Sequence, residues 1–166
     1  MTQAFRITAS DEADIHGYCW LPAGEPRAVV VISHGMSEYG GRYQALAQKL
    51  VLAGYAVYAH DHRGHGRHAP LPGWFAAQGG WQRVVDDLRE VVDYARQQHE
   101  RPVVLYGHSM GSFVARAFIL RYGQRLAGMV LSATGYRQRY LSRVMRGVAR
   151  LAARLGGADQ PSTFMK

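Results

Sequence analysis

The sequence predicts an α/β protein, a mostly parallel sheet with helices on both faces. Two observations carry this reading. Short apolar runs rich in β-branched residues ("AVVVIS", "YAVYAH", "PVVLYG") alternate with stretches of helical periodicity, and Gly-rich segments follow the end of each run. A length of 166 residues, with 48% apolar and 19% charged residues and no internal repeat, fits one globular core.

The elements follow in chain order. "FRITASDEADIHGYCWLP" alternates on both sides of the turn-like "SDEAD", which predicts an antiparallel hairpin opening the sheet. After "PAGEP", the run "AVVVIS" has the character of a strand buried on both faces. "RYQALAQKLVLAG" shows helical spacing and stops at Gly54, a residue suited to a helix C-terminus. "YAVYAH" is the next strand. "WQRVVDDLREVVDYARQQHE" is the next helix, with Val84, Val85, Leu88, Val91, Val92 and Ala95 on one face. "PVVLYG", the helix "FVARAFILRY" and the strand "LAGMVLSA" complete the series.

Charge is uneven along the chain. Of the net +8, +6 falls in residues 137–166, where six arginines and Lys166 face Asp159 alone. Such a patch attracts anions of any kind, phospholipid head groups included. The tail offers few aromatics for stacking, Tyr136 and Tyr140 beside the arginines, and no nucleic-acid-binding motif, so no nucleic-acid partner is expected. The N-terminus "MTQAFRITASDEAD" lacks a basic stretch followed by an apolar one, and no apolar run approaches the ~18 residues of a membrane span. The chain therefore reads as cytoplasmic, with peripheral membrane contact left open. Cys19, the single cysteine, reads as a small buried hydrophobe.

The chemistry concentrates at the carboxyl ends of the parallel strands, where active sites of such sheets lie. "GHSMGS", Gly107 to Ser112, sits between strand and helix, the context in which G-x-S-x-G forms a nucleophile elbow. Small residues at a strand-to-helix turn also serve packing, so both readings stand at this level. "SHGMSEYGGRY" follows the third strand and "HDHRGHGRHAP" the fourth. His60, His62, His65 and His68 lack a helix to gather them on one face, and no metal or cofactor is expected. His34 reads as a hydrogen-bonded turn residue.

These three segments, in order, resemble the α/β-hydrolase fold and, within it, the monoacylglycerol lipase and lysophospholipase group of serine hydrolases. The resemblance implies the first six strands of that fold with their helices (residues 1–135), followed by the beginning of a helical cap (136–166). It implies Ser109 as nucleophile and the backbone N–H groups of Met36 and Met110 as the oxyanion hole. It also implies that Glu38 and Arg42 hold the loop after the third strand, that "DHRGHG" is structural, and that Asp61 and Arg63 form a local ion pair. Tyr39 stands where the family usually has histidine.

In such hydrolases the acid and the histidine follow the serine. Here all eight histidines precede Ser109, and Asp159 is the only carboxylate side chain after it. His108 is a poor candidate base, because neighbours across a tight turn point apart. The expectation is an N-terminal portion of a longer enzyme, nearly inert alone, with "LAGMVLSA" left as a sheet edge. The implied reaction is cleavage of a lipid carboxylic ester through an acyl-enzyme on Ser109. The rival reading is a catalytically inactive binding or interaction module. In "YLSRVMRGVARLAARL" and the arginine just before it, Leu141, Val144, Met145, Val148, Leu151, Ala152 and Leu155 form one helical face and Arg139, Arg143, Arg146, Arg150 and Arg154 the other. This serves a cap helix or a helix lying on an anionic membrane.

Overall fold

The computed structural model describes residues 2–135 and 147–151. Among the described residues, six strands form one sheet: β1 (Thr2–Thr8), β2 (Asp14–Trp20), β3 (Val29–Ser33), β4 (Ala56–His60), β5 (Val103–His108) and β6 (Gly128–Ser132). Their spatial order is β1-β2-β4-β3-β5-β6. β1 pairs antiparallel with β2, and β2 with β4; the remaining pairs are parallel. The predicted opening hairpin and the parallel α/β core are both present.

Strand periodicity divides the core. Val29 and Val31 of β3, with Ala56 and Tyr58 of β4, join a large apolar cluster on one face. Val30, Ile32, Val57 and Ala59 join a smaller one on the other. Both strands are buried throughout, because both faces are covered. Residues Ala47, Leu46, Leu50 and Val51 of α1 (Gln44–Leu52) pack on the smaller cluster. α2 (Gly80–His99) and α3 (Met110–Tyr122) cover the larger one.

Local chemistry sets the boundaries. α1 ends in a Schellman motif: Gly54, at φ +88°, donates to Val51 O at 2.9 Å, and Tyr55 N–H donates to Leu50 O at 3.0 Å. The six apolar residues predicted for the inner face of α2 are all fully buried. Truncating one of them, Leu88→Ala, costs about 2–5 kcal/mol by the usual core scale. β6 has a strand neighbour on one side only among the described residues, and Val130 is half exposed there. Residues 147–151 are helical, in agreement with the expected 141–155 helix; its remaining residues lie outside the described ones.

Candidate active site

β5 ends at His108 and α3 begins at Met110, so Ser109 alone makes the turn. Its backbone has φ 50° and ψ −117°, a conformation that L-residues rarely adopt. The flanking glycines make it possible. A Cβ on Gly107 would lie 2.7 Å from Gly111 O and 2.9 Å from Ala115 Cβ, and one on Gly111 only 2.0 Å from Ser33 O. Helix and strand thus approach closer than any side chain permits. The strained residue is tied on both sides: its N–H donates to Ser132 O of β6 at 3.0 Å, and its carbonyl accepts from Ser112 N–H at 2.9 Å and from Ser112 Oγ at 2.6 Å. Ser109 stays partly exposed, whereas Met110 and Ser112 are buried.

The loop after β3 borders this serine. A Cβ on Gly35 would come within 3.3 Å of Ser109 Cβ. Glu38 organises the loop as expected: Oε2 accepts from Gly35 N–H at 2.9 Å and from the Tyr43 hydroxyl at 2.8 Å, with Arg42 Nε 3.5 Å from Oε1. Burial opposes the Glu38 charge, but these donors prevail and hold its carboxyl below the ordinary range. Burial and the adjacent carboxylate together push the Tyr43 hydroxyl far upward. Met36 is half exposed. The Tyr39 ring lies over Gly41 beside Tyr18.

Three histidines at the ends of β3 and β4 pack together in the interior. His34, His60 and His62 are fully buried, with ring centroids 4.3 Å apart for His34–His62 and 4.6 Å for His60–His62. Burial pushes His34 down to about 4, His60 to about 3, and His62 well below its ordinary value. All three are neutral at pH 7. His62 Nε2 lies 2.9 Å from Ser33 Oγ, at the end of β3.

The expected Asp61–Arg63 ion pair does not form. Arg63 turns the other way and binds Asp11 in the hairpin turn and Asp87 on α2, at 2.6–2.7 Å. Asp61 instead accepts the Gly40 N–H at 2.7 Å and packs against Gly66, where a Cβ would sit 2.0 Å from Oδ2. β4 ends at His60, so both residues lie in the loop beyond it, where the Gly40 amide holds Asp61 and the two distant carboxylates hold Arg63.

The remaining histidines have other partners. His108 Nδ1 lies 3.1 Å from Ser132 Oγ on β6, His65 Nδ1 2.9 Å from Arg63 O, and His99 Nε2 2.7 Å from the Tyr58 hydroxyl. His16 and His68 stack on one another at 4.0 Å. The sequence flagged Ser109, Met36 and Met110. It missed that Tyr43, Ser33 and Asp61 fix the loops around them.

A family model described as "Serine aminopeptidase, S33" matches residues 24–161. The chain belongs to that family. Among its relatives, the monoacylglycerol lipase of Mycolicibacterium smegmatis is 41% identical over 114 residues, covering 68% of this chain and 40% of that protein. The monoglyceride lipase of Rattus norvegicus is 37% identical over 113 residues, covering 68% of this chain and 36% of that protein. The crystal structure of a thermostable carboxyl esterase from Bacillus coagulans, in complex with glycerol, superposes with a TM-score of 0.86 at 25% identity, over 99% of this chain and 54% of that one. The fold of this S33 family member is therefore that of the α/β hydrolases. The chain spans 40% or less of the length of these two curated relatives.

Proposed function

We propose that this chain carries the nucleophile and oxyanion hole of a carboxylic ester hydrolase acting on lipid esters of the monoacylglycerol or lysophospholipid type. The observation that carries the reading is the backbone of Ser109, strained between β5 and α3 where two glycines alone allow it. Ser109 Oγ attacks the ester carbonyl carbon as a base removes its proton. The tetrahedral oxyanion is held by the N–H groups of Met36 and Met110, each worth about 3–4 kcal/mol by analogy with other oxyanion donors. Collapse expels the alcohol, which takes up the proton. Water then attacks the acyl-serine ester, releases the fatty acid and returns Ser109.

The base is none of the eight histidines of this sequence, since all precede Ser109 and those at hand are buried or bonded elsewhere. Residues 136–166 correspond to the beginning of the helical cap that the resemblance implies, and the arginines of this segment meet anionic lipid. A non-catalytic binding module is the second reading, favoured by the same engagement of every nearby histidine. The test is to incubate the product of the native gene with a long-chain alkyl fluorophosphonate and map the adduct by mass spectrometry. The hydrolase reading expects a stoichiometric adduct on Ser109; an unlabelled serine supports the binding module.

A further inference from the structure

The peptide joining Gly35 to Met36 is gripped by a fully buried imidazole. His34 Nδ1 lies 2.7 Å from Gly35 O, and its Nε2 lies 2.9 Å from the backbone nitrogen of His62. A carbonyl oxygen only accepts and a backbone N–H only donates. The ring therefore carries its single proton on Nδ1, donates it to Gly35 O, and accepts the His62 N–H at Nε2. Burial, which holds the ring neutral at pH 7, agrees with this assignment.

The consequence lies in the geometry of one amide. The Gly35–Met36 peptide is trans, as are all peptide bonds among the described residues, so the Met36 N–H points opposite to the Gly35 carbonyl and thus away from the His34 ring. The preceding amide is fixed as well, through Gly35 N–H to Glu38 Oε2. Gly35 itself borders Ser109, at 3.3 Å between its Cβ position and the serine Cβ.

We propose that His34 is a positioning residue: its Nδ1–H, locked from behind by the His62 backbone N–H, sets the direction in which the Met36 N–H faces Ser109. The proposal rests on the reading of Met36 as an oxyanion donor. His34 itself touches neither substrate nor reacting atoms. Its role requires one tautomer and one donor position, which packing alone does not.

The donor position can be tested by substitution. An asparagine side-chain amide nitrogen falls near the place of imidazole Nδ1, so His34→Asn keeps the bond to Gly35 O, whereas His34→Ala removes it. Two readouts apply. In nitrogen-15 NMR of the 166-residue chain at pH 7, His34 is expected as the neutral Nδ1–H tautomer. The Gly35 carbonyl carbon and Met36 amide nitrogen are expected to keep their shifts in His34→Asn and to lose them in His34→Ala. In the product of the native gene, His34→Ala is expected to lower kcat about 100-fold or more with KM nearly unchanged, as loss of one oxyanion donor does, and His34→Asn to restore most of it. An Nε2–H tautomer in the parent chain overturns the proposal, as does an unchanged Met36 shift in His34→Ala. If His34→Ala does not fold, the parent tautomer and the His34→Asn shifts decide. Ester turnover that survives Ser109→Ala sinks the hydrolase reading while leaving the tautomer and shift results intact, so the two failures are distinguishable.

Discussion

Arg63 Nε donates to Asp87 Oδ2 at 2.6 Å, joining the loop after β4 to the inner face of α2. The same guanidinium grips both oxygens of Asp11 in the hairpin turn at 2.7 Å. Its two carboxylates respond oppositely. The hydrogen bond from Arg63 draws Asp11 down to about 2, whereas burial lifts Asp87 above its ordinary value despite the same partner. The difference follows from depth, since the Asp87 side chain is only 4% exposed and that of Asp11 22%.

Removing the guanidinium leaves a buried carboxylate without its counter-ion. Arg63→Ala is expected to destabilise the chain by about 3–5 kcal/mol. The Asp11→Asn change, at the more exposed end, should cost less. Urea denaturation at pH 7 measures both; equal small losses contradict the assignment of Asp87 as the dependent partner.

Acid should unfold this protein through its buried histidines. The folded values of His34 and His60 are depressed from 6.5 to about 4 and about 3, and that of His62 lies well below 6.5. The unfolded chain therefore takes up protons that the folded chain refuses. Stability is fully present above the unfolded value and is lost as pH falls below it, by up to about 1.4 kcal/mol per pH unit for each histidine. Urea midpoints measured between pH 7 and 5 should fall steeply. Both ring nitrogens of His60 lack a hydrogen-bond partner among the described residues. His60→Leu should thus stay within about 1.5 kcal/mol of the parent at pH 7 and reduce the acid slope by one proton.

Most of the fold was legible because its signals are local. The β-branched runs of β3 and β4, the inner face of α2 and the Gly54 terminus each follow from periodicity or backbone freedom within a dozen residues. The elbow was legible because Gly107 and Gly111 flank Ser109. What escaped depends on contacts between distant segments. Nothing in "HDHRGHGRH" says that Arg63 reaches Asp11 and Asp87, which are 52 and 24 residues away. Nor does it say that the His62 backbone amide donates to His34, 28 residues earlier. Nearness in sequence suggested Asp61 for Arg63, but the Gly40 amide holds Asp61 while Asp11 and Asp87 hold Arg63.

The close approach at the elbow is open to a direct check. Gly111 lies in α3, where alanine ordinarily gains about 1 kcal/mol over glycine. A Cβ there meets Ser33 O at 2.0 Å and His34 O at 2.5 Å. Gly111→Ala is therefore expected to destabilise by several kcal/mol, above ~3. Gly128→Ala, with nothing within 4 Å of its Cβ position, is the control and should cost little. A neutral Gly111→Ala in thermal denaturation contradicts the packing of α3 on β3.

The arginine-rich helix should answer to lipid charge. Within its described part, Val148 and Leu151 on the apolar face are exposed. Folded protein is expected to co-sediment with vesicles containing anionic lipid and not with zwitterionic ones. Each basic residue near the surface contributes about 1 kcal/mol, which salt weakens. Changing Arg143, Arg146 and Arg150 to Gln should abolish the difference. Binding indifferent to lipid charge, salt and these substitutions returns the arginines to a solubilising role.

Ser109 is proposed as the nucleophile, with a base other than the eight histidines of this sequence. Initial rates of short-chain nitrophenyl ester hydrolysis test it most directly, measured for the 166-residue chain, for the product of the native gene, and for each with Ser109→Ala. The 166-residue chain is expected to show no turnover above the Ser109→Ala background, and the native product to lose activity on the order of a million-fold when Ser109 is replaced. Robust Ser109-dependent hydrolysis by the 166-residue chain alone would contradict the proposal, and would require His34 or His108 to leave its present partner and act as the base.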